Sequence, residues 1–290
     1  MEAITSKTKY ECLLFDMDDT LYPLSSGINL ACRKNIQDYM LHHLHIEESL
    51  VPKMCLDLYK EHGTTMAGLK ALGYEFDNDE FHACVHGSLP YEKLKPDPLL
   101  RNLLLSMPQR KIIFTNADKA HVAKVLSKLG LEDCFEGVIC FETLNPPLPT
   151  GGNKEDSIDT SSVDSVKSND AEGDDSFSES ELKIDVKPSR HSRKILCKPN
   201  VEAMEAACQL ANIDPKRSIF FDDSARNIAS GKAVGLHTVI VGSSVLVPGA
   251  DFALESIHNI KEARIPEIWE DVEQLESVVP SGAVEAVVLA

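Results

Sequence analysis

The sequence lacks any hydrophobic run approaching the roughly 20 consecutive apolar residues that a bilayer crossing needs. Its first seven residues contain no apolar stretch of the secretory-signal type. Basic residues are also scarce, because 29 lysines and arginines stand against 46 acidic residues and leave a formal net charge of −17. Such a field repels phosphate backbones, so we expect neither a membrane association nor binding to duplex nucleic acid. The expected location is the cytoplasm, with the nucleus as a further compartment.

Closely spaced cysteine pairs are missing as well. No Cys-x-x-Cys motif is formed by the eight cysteines, at positions 12, 32, 55, 84, 134, 140, 197 and 208. Most of them lie inside apolar segments, as Cys12 does. We therefore expect buried, reduced thiols and neither disulfides nor a structural zinc site.

Short apolar segments recur along the chain and predict the strands of a sheet. They cover residues 11–15, 111–114, 138–141, 218–221 and 238–241. Segments with helical periodicity lie between them, at 117–129, 200–211 and 224–234. This alternation favours an α/β fold with a doubly wound, Rossmann-like parallel sheet.

Two stretches interrupt the alternation and divide the chain. Residues 23–94 carry helical patterns and no good strand, which predicts an all-helical cap inserted over the carboxyl edge of the sheet. Residues 150–194 are predicted to be disordered, because eleven acidic residues and nine serines lie between positions 151 and 190. The core is then expected to comprise residues 1–22, 95–149 and 195–278, with a flexible tail at 279–290.

Two of the predicted strands run directly into paired carboxylates. Asp16 and Asp18 follow the first strand, and Asp222 and Asp223 follow the strand that begins near residue 218. Parallel strands end at one edge of the sheet, where α/β folds bind their ligands, so these acids are expected to share a site. An acidic helix cap is the alternative, but a cap needs one aspartate. A nucleophile and an acid/base group assembled around a cation explain the pattern better.

Two further segments place polar residues where they could reach the same edge. Thr115 and Asn116 end a strand just before a helix N-terminus, an arrangement that can hold phosphate but is also an ordinary helix cap. Lys198 precedes a proline that can start a helix, so its ammonium could face an anion, although a solvated lysine is an alternative. The segments are more specific together, and in this order, than any one alone.

In combination, Asp16-x-Asp18-x-Thr20, Thr115, Lys198 and Asp222-Asp223 resemble the four motifs of the haloacid dehalogenase (HAD) superfamily. Segments 16–23 and 220–227 resemble its pyrimidine 5′-nucleotidase-like branch, as do 63–69 and 89–91 in the predicted cap. The resemblance spans residues 11 to about 260, apart from the acidic insert. It implies a HAD-like core with an inserted helical cap.

The resemblance also implies roles for individual residues. Asp16 would attack phosphorus and form an aspartyl-phosphate, while Asp18 would protonate the leaving oxygen and then activate water. Mg²⁺ is the implied cofactor. Its implied ligands are the side chains of Asp16, Asp222 and Asp223 and the main-chain carbonyl of Asp18. Charge supports a cation, because one lysine cannot neutralise four carboxylates and a phosphate of about −2. The remaining implied roles are phosphate binding by Thr115 and Asn116, charge neutralisation by Lys198, and orientation of the last acidic loop by Asn227.

The sequence therefore predicts a Mg²⁺-dependent phosphomonoesterase that acts on a small phosphorylated metabolite, with a nucleoside 5′-monophosphate as the favoured substrate. His86 and Tyr91, near the return from the cap, are candidates for contacting the base or sugar. A phosphosugar phosphatase, another small-metabolite phosphatase or a mutase is one alternative. Another is a scaffold protein whose acidic insert recruits a basic protein partner or a kinase that modifies Ser176, Ser178 and Ser180.

Overall fold

A computed structural model of the chain describes residues 10–147, 194–263, 265, 268 and 269. Its strands are β1 Cys12–Phe15, β2 Arg110–Phe114, β3 Gly137–Ile139, β4 Ser218–Asp222, β5 His237–Val241 and β6 Phe252–Leu254. They form one sheet in the order β3-β2-β1-β4-β5-β6, and every neighbouring pair is parallel. The predicted α/β fold with a doubly wound parallel sheet is thereby confirmed, and β1 lies at its centre.

The described helices fall into two groups. The first four follow β1 and precede residue 94, namely α1 Ile28–His42, α2 Val51–His62, α3 Thr65–Ala71 and α4 Asn78–Gly87. The others are α5 Pro98–Ser106, α6 Lys119–Leu129, α7 Phe141–Leu144, α8 Val201–Ala211 and α9 Ala225–Ala233. Within the described ranges, no helix is both long and apolar enough to span a bilayer.

Both faces of the sheet are covered, because side chains alternate along each strand. Leu13 and Phe15 of β1 pack in one buried layer with Val125 of α6. Cys12 and Leu14 point the other way and pack in a second layer with helix α8. A strand buried on both faces reads as a continuous apolar run, which is why β1 was recognisable from sequence.

Helices α1 to α4 have a small core of their own. Met40, Leu58, Leu69 and Phe81 are buried together there. Polar contacts join this helical layer to the carboxyl edge of the sheet, since Nδ2 of Asn29 lies 2.7 Å from Oδ2 of Asp19. We call these four helices the cap.

Several element ends differ from the sequence prediction. The strand predicted at 138–141 ends at Ile139, because Cys140 instead caps α7, with its N–H donating to the hydroxyl of Thr143 at 3.3 Å. The helix predicted from residue 117 begins at Lys119, since the carboxylate of Asp118 accepts hydrogen bonds from its first turn. Helix α5 and the short strand β6 were not predicted.

Two predicted segments lie outside the described residues. Of the acidic segment 150–194 only residue 194 is described, and the tail at 279–290 lies outside the described residues. Disorder there, and the exact domain boundaries, remain predictions. All eight cysteines are described with free thiols; six are buried, and Cys32 and Cys84 are half-buried.

Candidate active site

A buried lysine lies at the centre of the site. Nζ of Lys198 donates hydrogen bonds to Oδ1 of Asp16 at 2.6 Å, to Oδ2 of Asp222 at 2.8 Å and to the carbonyl of Phe114 at 2.8 Å. These partners follow β1, end β4 and end β2, so three adjacent strands deliver them to one place. Burial alone would lower the pKa of Lys198, but the two carboxylates outweigh it and raise that pKa. The lysine is therefore a fixed positive charge.

Three carboxylates crowd around this charge. Asp16, Asp222 and Asp223 each offer an oxygen, and these oxygens lie within 4.8 Å of one another. Burial, and then the charges of Asp222 and Asp223, raise the pKa of Asp16 well above its usual value despite Lys198. Crowding by protein atoms, followed by the charge of Asp222, raises the pKa of Asp223 to about 7, although part of that residue faces solvent. Negative charge thus exceeds what one lysine balances.

This donor set fits a hard divalent cation. Carboxylate oxygens are the ligands that Mg²⁺ takes in proteins, and a cation would relieve the repulsion that raises the pKa values of Asp16 and Asp223. Asp222 is less free than the other two, because it is fully buried and Asn227 donates to both of its oxygens, at 2.9 and 3.0 Å. Asn227 thereby fixes the side chain of Asp222 at the end of β4.

Asp18 points away from the cluster of three carboxylates. Its Oδ1 lies 2.7 Å from Nε2 of His121 and accepts a hydrogen bond from the hydroxyl of Tyr22. Burial acts to raise the pKa of Asp18, but the charge and hydrogen bond of His121 outweigh it and lower that pKa to about 2. About a third of the side chain remains exposed, and Asp18 lines the cavity described below.

The predicted phosphate-binding residues surround Asp16 and Lys198. The hydroxyl of Thr20 donates to Oδ2 of Asp16 at 3.0 Å, and the hydroxyl of Thr115 accepts from the N–H of Ala117 at 3.1 Å. The side chain of Asn116 donates to the carbonyl of Lys198 at 3.0 Å and accepts from its N–H at 2.8 Å. Both polar ends of that amide are thus engaged by the backbone of Lys198.

A cavity of about 510 Å³ opens between the cap and the sheet edge. Asp18 and Asn116 line its floor, while α1, α2 and α4 contribute mainly apolar walls, among them Ile36, Leu56 and Val85. Such a volume is typical of sites for small organic ligands. Polar side chains on the walls include Arg33 and Gln37 of α1 and His82 and His86 of α4.

The two cap residues predicted to contact substrate have other partners here. His86 lines the cavity, and its Nδ1 is bonded to the carboxylate of Asp118. The hydroxyl of Tyr91 donates to the carbonyl of His86 at 3.0 Å and lies 2.7 Å from Nδ1 of His121. Tyr91 therefore contacts His121, which in turn contacts Asp18. Substrate contact by His86 stays a prediction.

Sequence reasoning missed His121, Asp118 and Tyr22. Asp118 caps α6, and His121 lies in the first turn of that helix, soon after Thr115 and Asn116. The sequence signal for Asp118 and His121 is the presence of an acidic and an imidazole side chain at the start of a helix that follows a predicted phosphate-binding loop. Tyr22 lies four residues after Asp18, within the motif already recognised.

No protein-family model matches the chain. Among curated proteins, Phosphate metabolism protein 8 of Saccharomyces cerevisiae is 28% identical over 132 residues, which are 43% of this chain and 41% of the yeast protein. The match thus spans less than half of that relative.

Similar solved structures include a putative β-phosphoglucomutase from Thermotoga maritima, which is 18% identical, with 87% of this chain and 97% of the other covered and a TM-score of 0.46. A HAD phosphatase from Thermococcus onnurineus is 15% identical, with 87% of this chain and 96% of the other covered and a TM-score of 0.49. A putative HAD-hydrolase from Bacillus subtilis, bound to magnesium, is 16% identical, with 87% and 97% covered and a TM-score of 0.47. Similarities of this size leave the activity to be argued from the site itself.

Proposed function

We propose that the protein is a HAD-type, Mg²⁺-dependent phosphomonoesterase with Asp16 as its nucleophile. One observation carries the proposal: the adjacent strands β1 and β4 bring Asp16 and the acidic pair Asp222 and Asp223 together next to Lys198, beside a cavity that is lined by Asp18. Buried like charges are costly and would not be kept for stability alone. Perturbed carboxylates in a cleft are typical of catalytic groups.

The metal ion would be held by Asp16, by Asp223 and by the main-chain carbonyl of Asp18. Asp222 would bind it directly or through water. When bound, Mg²⁺ supplies positive charge that allows a phosphate dianion to approach the carboxylates. The residues of the chain then position the phosphoryl group. Lys198 contributes a fixed charge beside the nucleophile, and Thr115 and the backbone N–H of Asn116 offer hydrogen bonds to its oxygens.

Hydrolysis would proceed in two steps. In the first, a carboxylate oxygen of Asp16 forms a bond to phosphorus while the bond to the leaving oxygen breaks and its electron pair stays on that oxygen. A proton from Asp18 passes to the leaving oxygen, which departs as an alcohol. In the second step Asp18 takes a proton from water, the resulting hydroxide attacks phosphorus, and Asp16 is released with inorganic phosphate.

Asp18 must gain a proton before the first step, because His121 keeps it ionised in the substrate-free site. An incoming phosphate favours this protonation of Asp18, because negative charge placed beside a carboxylate favours its protonated form. A phosphomonoester that arrives as the monoanion can also carry the proton with it.

We propose a nucleoside 5′-monophosphate as the substrate, because a small organic leaving group fits the cavity. Its volume of about 510 Å³ and its mainly apolar walls suit a flat ring system. Arg33 and Gln37, which lie among the lining residues, can hydrogen-bond to the edge of a base or to a sugar hydroxyl. The name of the yeast relative, Phosphate metabolism protein 8, agrees with phosphate ester chemistry.

A panel of phosphomonoesters tests the proposal. The purified chain is incubated with Mg²⁺ and nucleoside monophosphates, hexose phosphates, glycerol phosphate or p-nitrophenyl phosphate, and released phosphate is measured. We expect release that requires Mg²⁺, is highest with a nucleoside 5′-monophosphate and is abolished in Asp16→Asn. Asp57→Asn, at an exposed position of α2, is the matched control. Isomerised hexose phosphate without phosphate release would indicate a mutase, and no turnover of any ester would overturn the proposal.

A further inference from the structure

The hydrogen bonds to Asp18 are unevenly distributed between its two oxygens. Both bonds fall on Oδ1, one at 2.7 Å from Nε2 of His121 and the other from the hydroxyl of Tyr22. Among the described residues, Oδ2 makes no hydrogen bond, and Asp18 lines the cavity. An oxygen that accepts two hydrogen bonds is a poor place for a proton, so the acid proton of Asp18 belongs on Oδ2. That is the oxygen left for the substrate.

His121 is itself held in place. Its side chain is 2% exposed, and its ring stacks on that of His86 with the centroids 4.5 Å apart. Its Nδ1 lies 2.7 Å from the hydroxyl of Tyr91, which donates its one proton to the carbonyl of His86 at 3.0 Å. Because that proton is already used, Tyr91 must accept from Nδ1 of His121. The rotation of the imidazole is thereby fixed at both nitrogens.

The chain of bonds crosses from the cap to the core. His86 belongs to α4 in the cap, while His121 is in α6 and Asp18 follows β1. A second contact joins the same two helices, because Nδ1 of His86 is bonded to the carboxylate of Asp118 at the start of α6. The groups that hold His121 thus include the carbonyl and the ring of His86 in the cap.

We propose that His121 is a positioning residue that, supported by Tyr91, holds Oδ1 of Asp18 so that Oδ2 presents its proton to the leaving oxygen. This inference rests on the proposed phosphatase activity. His121 does not touch the phosphoryl group and acts only through Asp18. A purely structural tie between α6 and the loop after β1 is the competing explanation.

The two explanations differ in how a defect depends on the leaving group. Protonation matters most when the leaving oxygen is strongly basic, as in an alkyl phosphate, and little when it is weakly basic, as in p-nitrophenyl phosphate. The ratio kcat/KM reports the step in which that oxygen departs. Loss of positioning should therefore lower kcat/KM for the alkyl ester selectively, whereas general damage to the site should lower it for both esters.

The experiment compares His121→Phe, which keeps a planar ring without hydrogen bonds, with His121→Gln, whose amide N–H can replace Nε2 as a donor to Asp18. Tyr91→Phe removes only the hydroxyl that supports Nδ1. His258→Phe is the matched control, because its Nε2 forms a similar 2.8 Å contact with Oδ2 of Asp97, outside the cavity. Glycerol phosphate and p-nitrophenyl phosphate are the substrates, and binding of inorganic phosphate is measured by calorimetry.

We expect His121→Phe to lower kcat/KM for glycerol phosphate by about 100-fold, within the range of general acid catalysis and of a small misplacement. The same variant should change p-nitrophenyl phosphate hydrolysis and phosphate affinity little. His121→Gln should recover most of the lost kcat/KM. Tyr91→Phe should show a smaller loss with the same selectivity for the alkyl ester. Equal losses for both esters, or none, would overturn the inference while leaving the phosphatase assignment intact. Failure of the wild-type protein to hydrolyse these two esters or any other phosphomonoester of the panel would overturn both.

Discussion

Nζ of Lys198 lies 2.6 Å from Oδ1 of Asp16, and the two side chains are only 2% and 9% exposed. Removing the lysine would leave two buried carboxylates, Asp16 and Asp222, without their counterion. Breaking a buried ion pair from one side typically costs about 3–5 kcal/mol. We therefore predict that Lys198→Met lowers the free energy of unfolding by about that amount and abolishes phosphate release.

Denaturant unfolding at pH 7, followed by circular dichroism, measures the stability change. The control is Lys53→Met, which breaks an exposed ion pair with Asp57 in α2 and should leave the unfolding midpoint almost unchanged. Lys198→Met together with Asp16→Asn should be more stable than Lys198→Met alone, because one uncompensated charge is removed. Equal midpoints for wild type and Lys198→Met would show that the lysine does not balance these acids.

Stability should also depend on pH through His82. Burial, and then the charge of His86, lower the pKa of His82 from 6.5 to about 4. Between these values the unfolded chain binds a proton that the folded protein does not, so the free energy of unfolding falls as pH falls from 6.5 towards 4. The slope from this one group is at most about 1.4 kcal/mol per pH unit.

His82→Phe isolates that contribution, because the ring packing edge-on to Phe141 at 4.5 Å can be retained. Unfolding curves of both proteins are measured across pH 4–7. As the pH falls, the free energy of unfolding should decrease more for the wild type than for the variant. His42→Gln, at an exposed position of α1, should follow the wild type. Parallel curves for wild type and His82→Phe would mean that His82 titrates normally in the folded protein.

Magnesium should stabilise the folded protein through the carboxylate cluster. A ligand that binds only the folded state adds about 2.7 kcal/mol at a concentration 100 times its Kd. We predict a rise in Tm on addition of Mg²⁺ that is lost in Asp223→Asn and retained in Asp57→Asn. The effect should weaken below pH 7, because protons then compete with the ion for Asp223, whose pKa is about 7. A Tm rise of equal size in Asp223→Asn would place the ion elsewhere.

The acidic segment offers a test of the scaffold alternative. If residues 150–194 only recruit a basic partner or a kinase, replacing them with a short Gly-Ser linker should leave kcat and KM for the best substrate unchanged. Steady-state kinetics of the two proteins measure this directly. A large fall in kcat/KM, with an unchanged Tm, would instead show that the segment contributes to catalysis.

The sheet and its acids were predictable because their signals are local. The run from Cys12 to Phe15 is buried on both faces and ends at once in Asp16, so strand and site could be read together. The short edge strand β6 has two half-buried residues out of three and gave no such signal.

The support around Asp18 was not predictable, because it depends on tertiary packing. His121 is 103 residues from Asp18 in sequence, and the two meet only when α6 packs beside β1. Asn116 illustrates the converse: its residue type and position suggested a phosphate ligand, yet its side chain is taken by the backbone of Lys198, 82 residues away. Residue types at strand ends identify a site, whereas partners within it are set by the fold.

The most direct test of the account is to trap a phosphoryl group on Asp16. The protein is mixed with Mg²⁺ and p-nitrophenyl phosphate carrying a radiolabelled phosphoryl group, quenched in acid within milliseconds and digested for peptide mapping. We predict an acid-stable, hydroxylamine-sensitive label on the peptide that contains Asp16, and no label in Asp16→Asn. Label on another residue, or turnover by Asp16→Asn at the wild-type rate, would contradict the account.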